Sequence, residues 1–157
     1  DRLIDEKDRT KFNAMAHGIL ENHLTMEWEL DNFKDVLFGD FEGSDKNRYV
    51  KLSDTEVLIP RLDEKLMLYN NGDNGAEMNL VFFADCIQHL GRINRILMQQ
   101  RGNAMLVGVG GSGRRSMARL AGFLREMATF SIEITKSYRE KEFHEDIKKL
   151  LIKCGQE

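Results

Sequence analysis

The sequence predicts an α/β fold in its second half, preceded by a helical region. Apolar residues recur every three or four positions through most of the first hundred residues, which indicates amphipathic helices. The period changes at Ala104 to Val107, a continuous apolar run that leads into glycines, as buried parallel strands do. A further helical pattern and a segment of strand composition at 129–134 follow. This order of elements indicates a parallel sheet with helices.

Composition excludes several classes of protein. The chain has 157 residues, of which 41% are apolar and 31% charged, and its net charge is −3. These values are typical of a globular domain and give no reason to expect nucleic acid or a membrane surface as partner. No apolar stretch approaches the roughly 20 residues of a membrane helix. Cys86 and Cys154 lie far apart without metal-ligand spacing, so we expect no metal site.

The first helix is expected to begin at Asp5 or Asp8 as a cap and to end near His23. Between 26 and 41, aromatic and acidic residues alternate before a break at 43–45. This pattern predicts a short helix followed by a loop. The opening residues carry neither an initiator Met nor a signal-peptide pattern, so we expect the chain to start inside a longer protein.

A capping box begins the next predicted helix. The Ser53 hydroxyl should accept the free amide three residues on, while Glu56 reaches back to the Ser53 amide. Pro60 is expected in the first turns of this helix. The turn-forming residues 70–75 should end it. Its predicted apolar face consists of Leu58, Leu62, Leu66 and Tyr69.

Three more helices are predicted from apolar spacing in the second half. One lies before Arg101, one after the glycines and one near the end of the chain. Their apolar faces are Phe83, Cys86, Ile87, Leu90, Ile93 and Leu97; then Met117, Leu120, Ala121 and Leu124; and finally Phe143, Ile147, Leu150, Leu151 and Cys154.

The glycine loop is the candidate binding site. It nearly matches the phosphate-binding P-loop, G-x-x-x-x-G-K-[ST], in the strand-to-helix context that this motif requires. Backbone without Cβ atoms can wrap a phosphate, and the helix N-terminus adds partial positive charge. The predicted nucleotide-binding residues are Gly108, Val109, Gly110, Gly111, Ser112, Gly113, Arg114, Arg115 and Ser116.

Two alternatives remain open from the residues alone. The glycines could form only a tight turn with no ligand, which would make the loop structural. Gly108, Gly110 and Gly113 also fit the dinucleotide fingerprint G-x-G-x-x-G, with Glu133 following 20 positions after Gly113. An NAD-binding oxidoreductase is therefore the alternative function. Neither Ser112 nor Ser116 has a histidine nearby in sequence or lies in a nucleophile elbow, so we predict no catalytic residue.

Specific segments resemble the fourth AAA+ module of dynein heavy chains, most closely the axonemal members. They are 78–83, 92–97 and the run from Arg101 to Arg114, and the likeness continues through 119–121 and 132–138 to 146–151. Upstream, 1–4 with Asp8 and Arg9 looks like the closing helical part of the third module. The resemblance covers nearly the whole chain.

The resemblance implies an incomplete P-loop AAA+ module at 76–157, preceded at 1–75 by an all-helical lid-type subdomain. The parent would be a microtubule motor with six AAA+ modules, located in the cytoplasm, the cytoskeleton and the axoneme of cilia or flagella. Its expected partners are neighbouring modules of the same heavy chain, the microtubule, and dynein intermediate and light chains. By the same resemblance, Leu80 or Val81 should line the adenine pocket, and the Walker B strand, sensors and arginine finger lie outside the chain.

The loop departs from hydrolysing P-loops at two positions. The usual Lys is Arg114, and Arg115 stands where a hydroxyl should coordinate Mg²⁺. An arginine cannot coordinate Mg²⁺, on which phosphoryl transfer depends. Ser116 is one position too late, a rotation of about 100° around a helix. We therefore predict a degenerate Walker A loop that binds ATP or ADP with weak or absent Mg²⁺ and does not itself hydrolyse ATP.

Overall fold

The computed structural model describes residues 5–24, 36–42 and 49–156. These residues form five α-helices and a small antiparallel sheet, and the chain divides into two compact units, 1–54 and 55–157. The helices are α1 (Glu6–Leu24), α2 (Thr55–Asn71), α3 (Ala84–Met98), α4 (Arg114–Leu124) and α5 (Glu140–Gln156). The strands are β1 (Phe38–Gly39) and β2 (Val50–Lys51).

Helix α1 begins where its cap predicts. The Asp5 carboxylate accepts a hydrogen bond from the Lys7 amide at 3.1 Å, which satisfies one of the free N–H groups of the first turn. The predicted Asp5 cap is therefore confirmed. Phe12, Met15 and Ile19, three apolar residues that recur at helical spacing in α1, are more than half exposed.

The first unit also contains a two-stranded ladder that the sequence did not predict. Phe38 pairs with Lys51 and Gly39 with Val50 in antiparallel register. The helix expected over 26–41 is wrong for its last residues, and 26–35 and the break at 43–45 lie outside the described residues. Phe41 and Leu52 are buried beside Gly39, so burial in an extended arrangement overrides the aromatic spacing.

The predicted capping box at Ser53 is not formed. The Ser53 amide donates to the Glu42 carboxylate at 2.7 Å, and its hydroxyl donates to the other oxygen of the same carboxylate. Glu42 thus accepts both donors of Ser53 in charge-assisted bonds, and the Ser53 amide that Glu56 was expected to bind is already paired. Helix α2 nevertheless starts at Thr55, close to the predicted position.

The core of the second unit is made by α2, α3 and α4. Helix α4 packs against both of the other two. The apolar faces predicted for these helices are largely buried, which confirms the helical periods. The buried apolar residues of this unit are Leu58, Leu62, Leu66, Tyr69, Met78, Phe82, Cys86, Ile87, Leu90, Ile93, Leu120, Ala121 and Leu124.

Side-chain amides fix the chain after α2. Tyr69 donates its hydroxyl to the Asn74 carbonyl oxygen at 2.8 Å, and Asn74 donates back to the Tyr69 carbonyl oxygen at 2.9 Å. Asn70 donates to the Met78 carbonyl oxygen and accepts from the Met78 amide, each at 2.9 Å. The predicted turn at 70–75 is present, and the segment that follows it is held against the end of α2.

The two predicted strands of the second unit, 104–107 and 129–134, form no ladder with any described segment. A strand needs a neighbour to pair its amide and carbonyl groups, and the only ladder among the described residues joins β1 to β2. The predicted parallel sheet is therefore not confirmed. Met105 is 89% exposed and Ile134 82%.

A charged contact connects the residue Tyr138, just before α5, with Asp146 and Lys149 inside that helix. The Tyr138 hydroxyl donates to one Asp146 carboxylate oxygen at 3.0 Å, and Lys149 Nζ donates to the other at 3.1 Å. These two bonds, that from Lys149 first, hold the pKa of Asp146 below its usual value. Partial desolvation and the Asp146 carboxylate raise the pKa of Tyr138.

None of the described helices combines the length and hydropathy that crossing a bilayer requires.

Candidate functional site

The glycine loop joins the 104–107 segment to helix α4 with backbone that only glycine adopts easily. Gly111 has φ +81° and Gly113 φ +71°, both in the left-handed region. Gly113 is the residue immediately before α4, and its carbonyl oxygen accepts the Met117 amide at 2.8 Å. The helix N-terminus thus follows directly from the loop, as the P-loop motif predicts.

Inside the loop, one carbonyl oxygen accepts two donors. Val109 O accepts the Ser112 amide at 3.4 Å and Arg114 Nη2 at 2.9 Å. The Arg114 side chain lies close to Gly108. A Cβ placed on Gly108 would be 3.5 Å from both Cδ and Nε of the arginine. That Cβ would also be 3.0 Å from the Ser112 hydroxyl, tighter than ordinary contact. A side chain at position 108 would therefore require the Ser112 side chain to shift by a few tenths of an ångström.

A cavity of about 590 Å³ lies beside this loop. That volume is within the range of small-molecule sites. Its walls come from the segment before α3, from one face of α3, from the 106–109 backbone and from the loop with the start of α4. The lining residues are Asn79, Leu80, Val81, Phe83, Asp85, Cys86, His89, Ile93, Leu106, Val107, Gly108, Val109, Gly111, Ser112, Gly113, Arg114 and Met117.

The cavity brings most of the predicted site residues together. Leu80 and Val81, more than 25 positions before the loop, share it with the loop. The Leu80 Cδ2 atom lies 3.8 Å from where a Cβ would stand on Gly113, whereas Val81 is 79% exposed. Gly110, Arg115 and Ser116 are not among its lining residues. Arg115, at the position expected to face Mg²⁺, is an exposed residue of α4.

Sequence reasoning did not include the α3 wall. Asp85, Cys86, His89 and Ile93 follow one another at helical spacing and line the cavity from the same side. Of these residues, Cys86 and Ile93 were predicted only as part of the apolar face of α3, and Asp85 and His89 were not predicted as site residues. Knowing that α3 packs on α4 would have placed part of the same face beside the loop.

Sulfur atoms meet where α3 and α4 approach each other. Cys86 Sγ is 3.9 Å from Met117 Sδ, and both residues line the cavity. Burial raises the pKa of the Cys86 thiol, partly offset by a hydrogen bond to the Phe83 backbone. A thiol with a raised pKa is a poor nucleophile, so Cys86 acts as an apolar wall. Within the described ranges, no three His, Cys, Asp or Glu side chains are grouped to hold a metal ion.

The family described as "P-loop containing dynein motor region D4" matches residues 78–157, about half of the chain. The chain belongs to this family. The match begins at Met78, where the cavity segment starts, and it includes the glycine loop and every helix from α3 onward. The resemblance inferred from the sequence is thereby confirmed.

Similarity to dynein heavy chains extends through the whole length of the chain, beyond the residues that the D4 family model matches. It is 39% identical over 157 residues to dynein axonemal heavy chain 1 of Mus musculus and 41% identical over 159 residues to dynein axonemal heavy chain 2 of the same species. It is 39% identical over 163 residues to dynein axonemal heavy chain 6 of Homo sapiens. These matches cover 99–100% of the chain, which spans 4% of the length of each relative.

Membership of a P-loop family favours the phosphate-loop interpretation over the dinucleotide one. The geometry of the D4 region agrees with this choice. Glu133, which would bind a ribose in a dinucleotide fold, is exposed and is not one of the residues that line the cavity.

Proposed function

We propose that this D4 region binds ADP or ATP in a regulatory or structural role and does not hydrolyse ATP itself. The observation that carries the proposal is the shared cavity, which is lined by the glycine loop, Arg114, Leu80 and Val81. A nucleotide needs a phosphate-binding end and an apolar surface for its base. The residues present provide both.

The phosphate end would be formed by the loop and by the start of α4. Glycines at 108, 111 and 113 let backbone amides approach an anion closely, and the N-terminus of an 11-residue helix adds partial positive charge. Arg114 lines the cavity and contributes a full positive charge. A guanidinium binds two phosphate oxygens at once in a planar fork.

The base end would be formed by the segment held by Asn70. Leu80 packs towards Gly113, so its side chain supports the loop. Val81 is exposed and lines the cavity, which leaves its side chain available to a planar base. Of the two residues predicted to contact adenine, we therefore favour Val81 for direct contact and Leu80 for positioning.

ATP hydrolysis is disfavoured by the arginine at position 115. Arg115 is exposed and does not line the cavity, and its side chain carries no oxygen for Mg²⁺. Ser116 is not a lining residue either. Without the hydroxyl that a hydrolysing P-loop places at position 115 to hold Mg²⁺, charge developing on the phosphates is not neutralised during phosphoryl transfer. Binding would thus depend on the loop and on Arg114 and little on the metal.

The wider role follows from the relatives. All three are named as axonemal dynein heavy chains, so we place this chain within a microtubule motor of the axonemal cytoskeleton. In that setting, 104–107 and 129–134 would pair with other segments in a parallel AAA+ sheet, and 1–75 would close the preceding module. Neighbouring modules, the microtubule, and intermediate and light chains are the partners proposed for the parent.

Titration of the full chain with ADP, followed by calorimetry, tests the proposal. We expect saturable binding to one site that changes less than about threefold when EDTA replaces Mg²⁺, because position 115, where a P-loop offers the metal a hydroxyl, is an arginine. The double substitution Arg114→Lys with Arg115→Thr should make binding Mg²⁺-dependent. Arg119→Met, five residues further along α4 and outside this cavity, is the matched control and should bind like the unaltered chain.

Each outcome has a defined meaning. Absence of ADP binding in the unaltered chain would contradict the proposal and support a purely structural loop. ATP turnover near one per second, unchanged in the double variant, would contradict the assignment of the two arginines. Preferential binding of NAD over ADP would restore the dinucleotide interpretation.

A further inference from the structure

The Arg114 side chain is folded back onto the loop that precedes it. Its Cδ and Nε atoms lie near Gly108, and its terminal Nη2 donates to the Val109 carbonyl oxygen at 2.9 Å. We propose that this contact is a latch that holds the loop closed on itself, and that a phosphate-bearing ligand must release it. The inference deepens the proposed nucleotide site and rests on it for the identity of the ligand.

The latch would work through a single acceptor. Val109 O accepts both Arg114 Nη2 and the Ser112 amide, the latter at 3.4 Å. Both donors belong to the set with which a P-loop binds phosphate, a backbone amide of the loop and the cation that follows it. In the latched arrangement, these two donors point at the protein's own carbonyl group. An incoming phosphate must therefore take the place of Val109 O as the acceptor for both donors.

The chemistry of the exchange defines the ligand class. A guanidinium bound to a neutral carbonyl gains when it moves to a phosphate, because the phosphate carries the opposite charge and can accept two parallel N–H bonds from the planar fork. A nucleoside without phosphates offers no such acceptor and leaves the latch in place. The loop should therefore open for nucleotides and remain closed for adenosine, so that the cavity selects by charge before it selects by base.

Hydrogen exchange of the full chain without nucleotide tests the latch directly. Arg114→Met keeps an unbranched apolar stem and removes the donor. Loss of one hydrogen bond should raise amide exchange within 109–113 by about two- to tenfold. Arg119→Met changes the same charge on the same helix away from the loop and should leave this exchange as in the unaltered chain. Equal exchange in Arg114→Met and the unaltered chain would overturn the latch.

A second measurement on the unaltered chain covers the case in which methionine disturbs α4. The Nη groups of a latched arginine rotate slowly about the Nε–Cζ bond, so nitrogen-15 NMR should show restricted rotation for Arg114. ADP should change these signals, whereas adenosine should not. Free rotation of the Arg114 guanidinium before any ligand is added would overturn the latch.

The two proposals fail in different ways. If ADP does not bind but Arg114→Met still loosens the loop, the latch stands and the nucleotide site is wrong. If ADP binds and Arg114→Met exchanges like the unaltered chain, the site stands and the latch is wrong.

Discussion

Helices α3 and α4 and the segment between them represent two different kinds of structure within one unit. Leu90 of α3 and Leu120 of α4 are fully buried against neighbouring helices. Between them, Met105 and Val107 are 89% and 82% exposed, although they belong to one of the most continuous apolar runs in the chain. Apolar character alone therefore does not decide which residues are buried here.

The difference lies in how each element satisfies its backbone. A helix pairs its own amides and carbonyls and needs only one packing partner for its apolar face. A strand needs a neighbouring strand before its backbone is paired. Helices can thus be stable in a unit that supplies no ladder, whereas 104–107 stays unpaired among the described residues.

The largest expected effect comes from shortening one apolar side chain in the helical core and one in the 104–107 segment. Leu90→Ala should lower the free energy of unfolding by about 2–5 kcal/mol, because it leaves a cavity in the helical core. Met105→Ala should change it by less than about 0.5 kcal/mol, since the side chain already contacts water. Urea denaturation monitored by circular dichroism measures both. A similar loss in the two variants would mean that 105 is buried in solution.

An intermediate effect is expected at the junction between the two regions. A Cβ at Gly102 would collide with the Ile96 carbonyl group at the end of α3, and backbone atoms cannot move aside as a side chain can. Gly102→Ala should therefore destabilise the unit by about 1–3 kcal/mol. Thermal unfolding gives the measurement.

Gly91 provides the matched control within α3, where an added Cβ would meet nothing within 4 Å. Gly91→Ala should stabilise the helix by about 0.5–1 kcal/mol, because alanine loses less backbone entropy than glycine. A Gly102→Ala variant as stable as Gly91→Ala would show that the junction rearranges freely.

The smallest expected effect concerns the exposed contact before and within α5. Because hydrogen bonds from Lys149 and Tyr138 lower the pKa of Asp146, the ionised carboxylate stabilises the fold at pH values above the ordinary Asp pKa of 3.8. That contribution is lost as the pH falls through the lowered value. Lys149→Ala should raise the Asp146 pKa towards 3.8, as followed by carbon-13 NMR titration of the carboxylate.

Lys148→Ala removes the same charge one position away and should leave the Asp146 titration nearly unchanged. An equal rise of the Asp146 pKa in both variants would show that general charge, not the hydrogen bond from Lys149, sets it.

Much of the helical structure and part of the candidate site followed from the sequence. Apolar spacing predicted α2 to α5, and the glycine motif predicted that a helix follows the loop, where α4 begins at Arg114. Both signals are local, since a helix and its first turn depend on residues a few positions apart. The resemblance to dynein AAA+ modules also indicated Leu80 or Val81, and both line the cavity.

The remaining features depend on partners distant in sequence. Glu42 accepts both donors of Ser53 from 11 positions away, and β1 pairs with β2 where the local spacing predicted a helix before the break at 43–45. His89 and Asp85 line the cavity only because α3 packs beside the loop. Tertiary contacts of this kind override local propensity, and a single sequence does not reveal them.

The bond pair between Asn70 and Met78 gives one side chain the role of a peptide group. Its amide donates to the Met78 carbonyl oxygen and accepts from the Met78 N–H, as a facing residue does in a ladder. The segment that carries Leu80 and Val81 is therefore attached to α2 by two hydrogen bonds that resemble those of one residue pair in a sheet. Aspartate would keep only the acceptor and leucine neither group, so the register of this segment is encoded by a single amide.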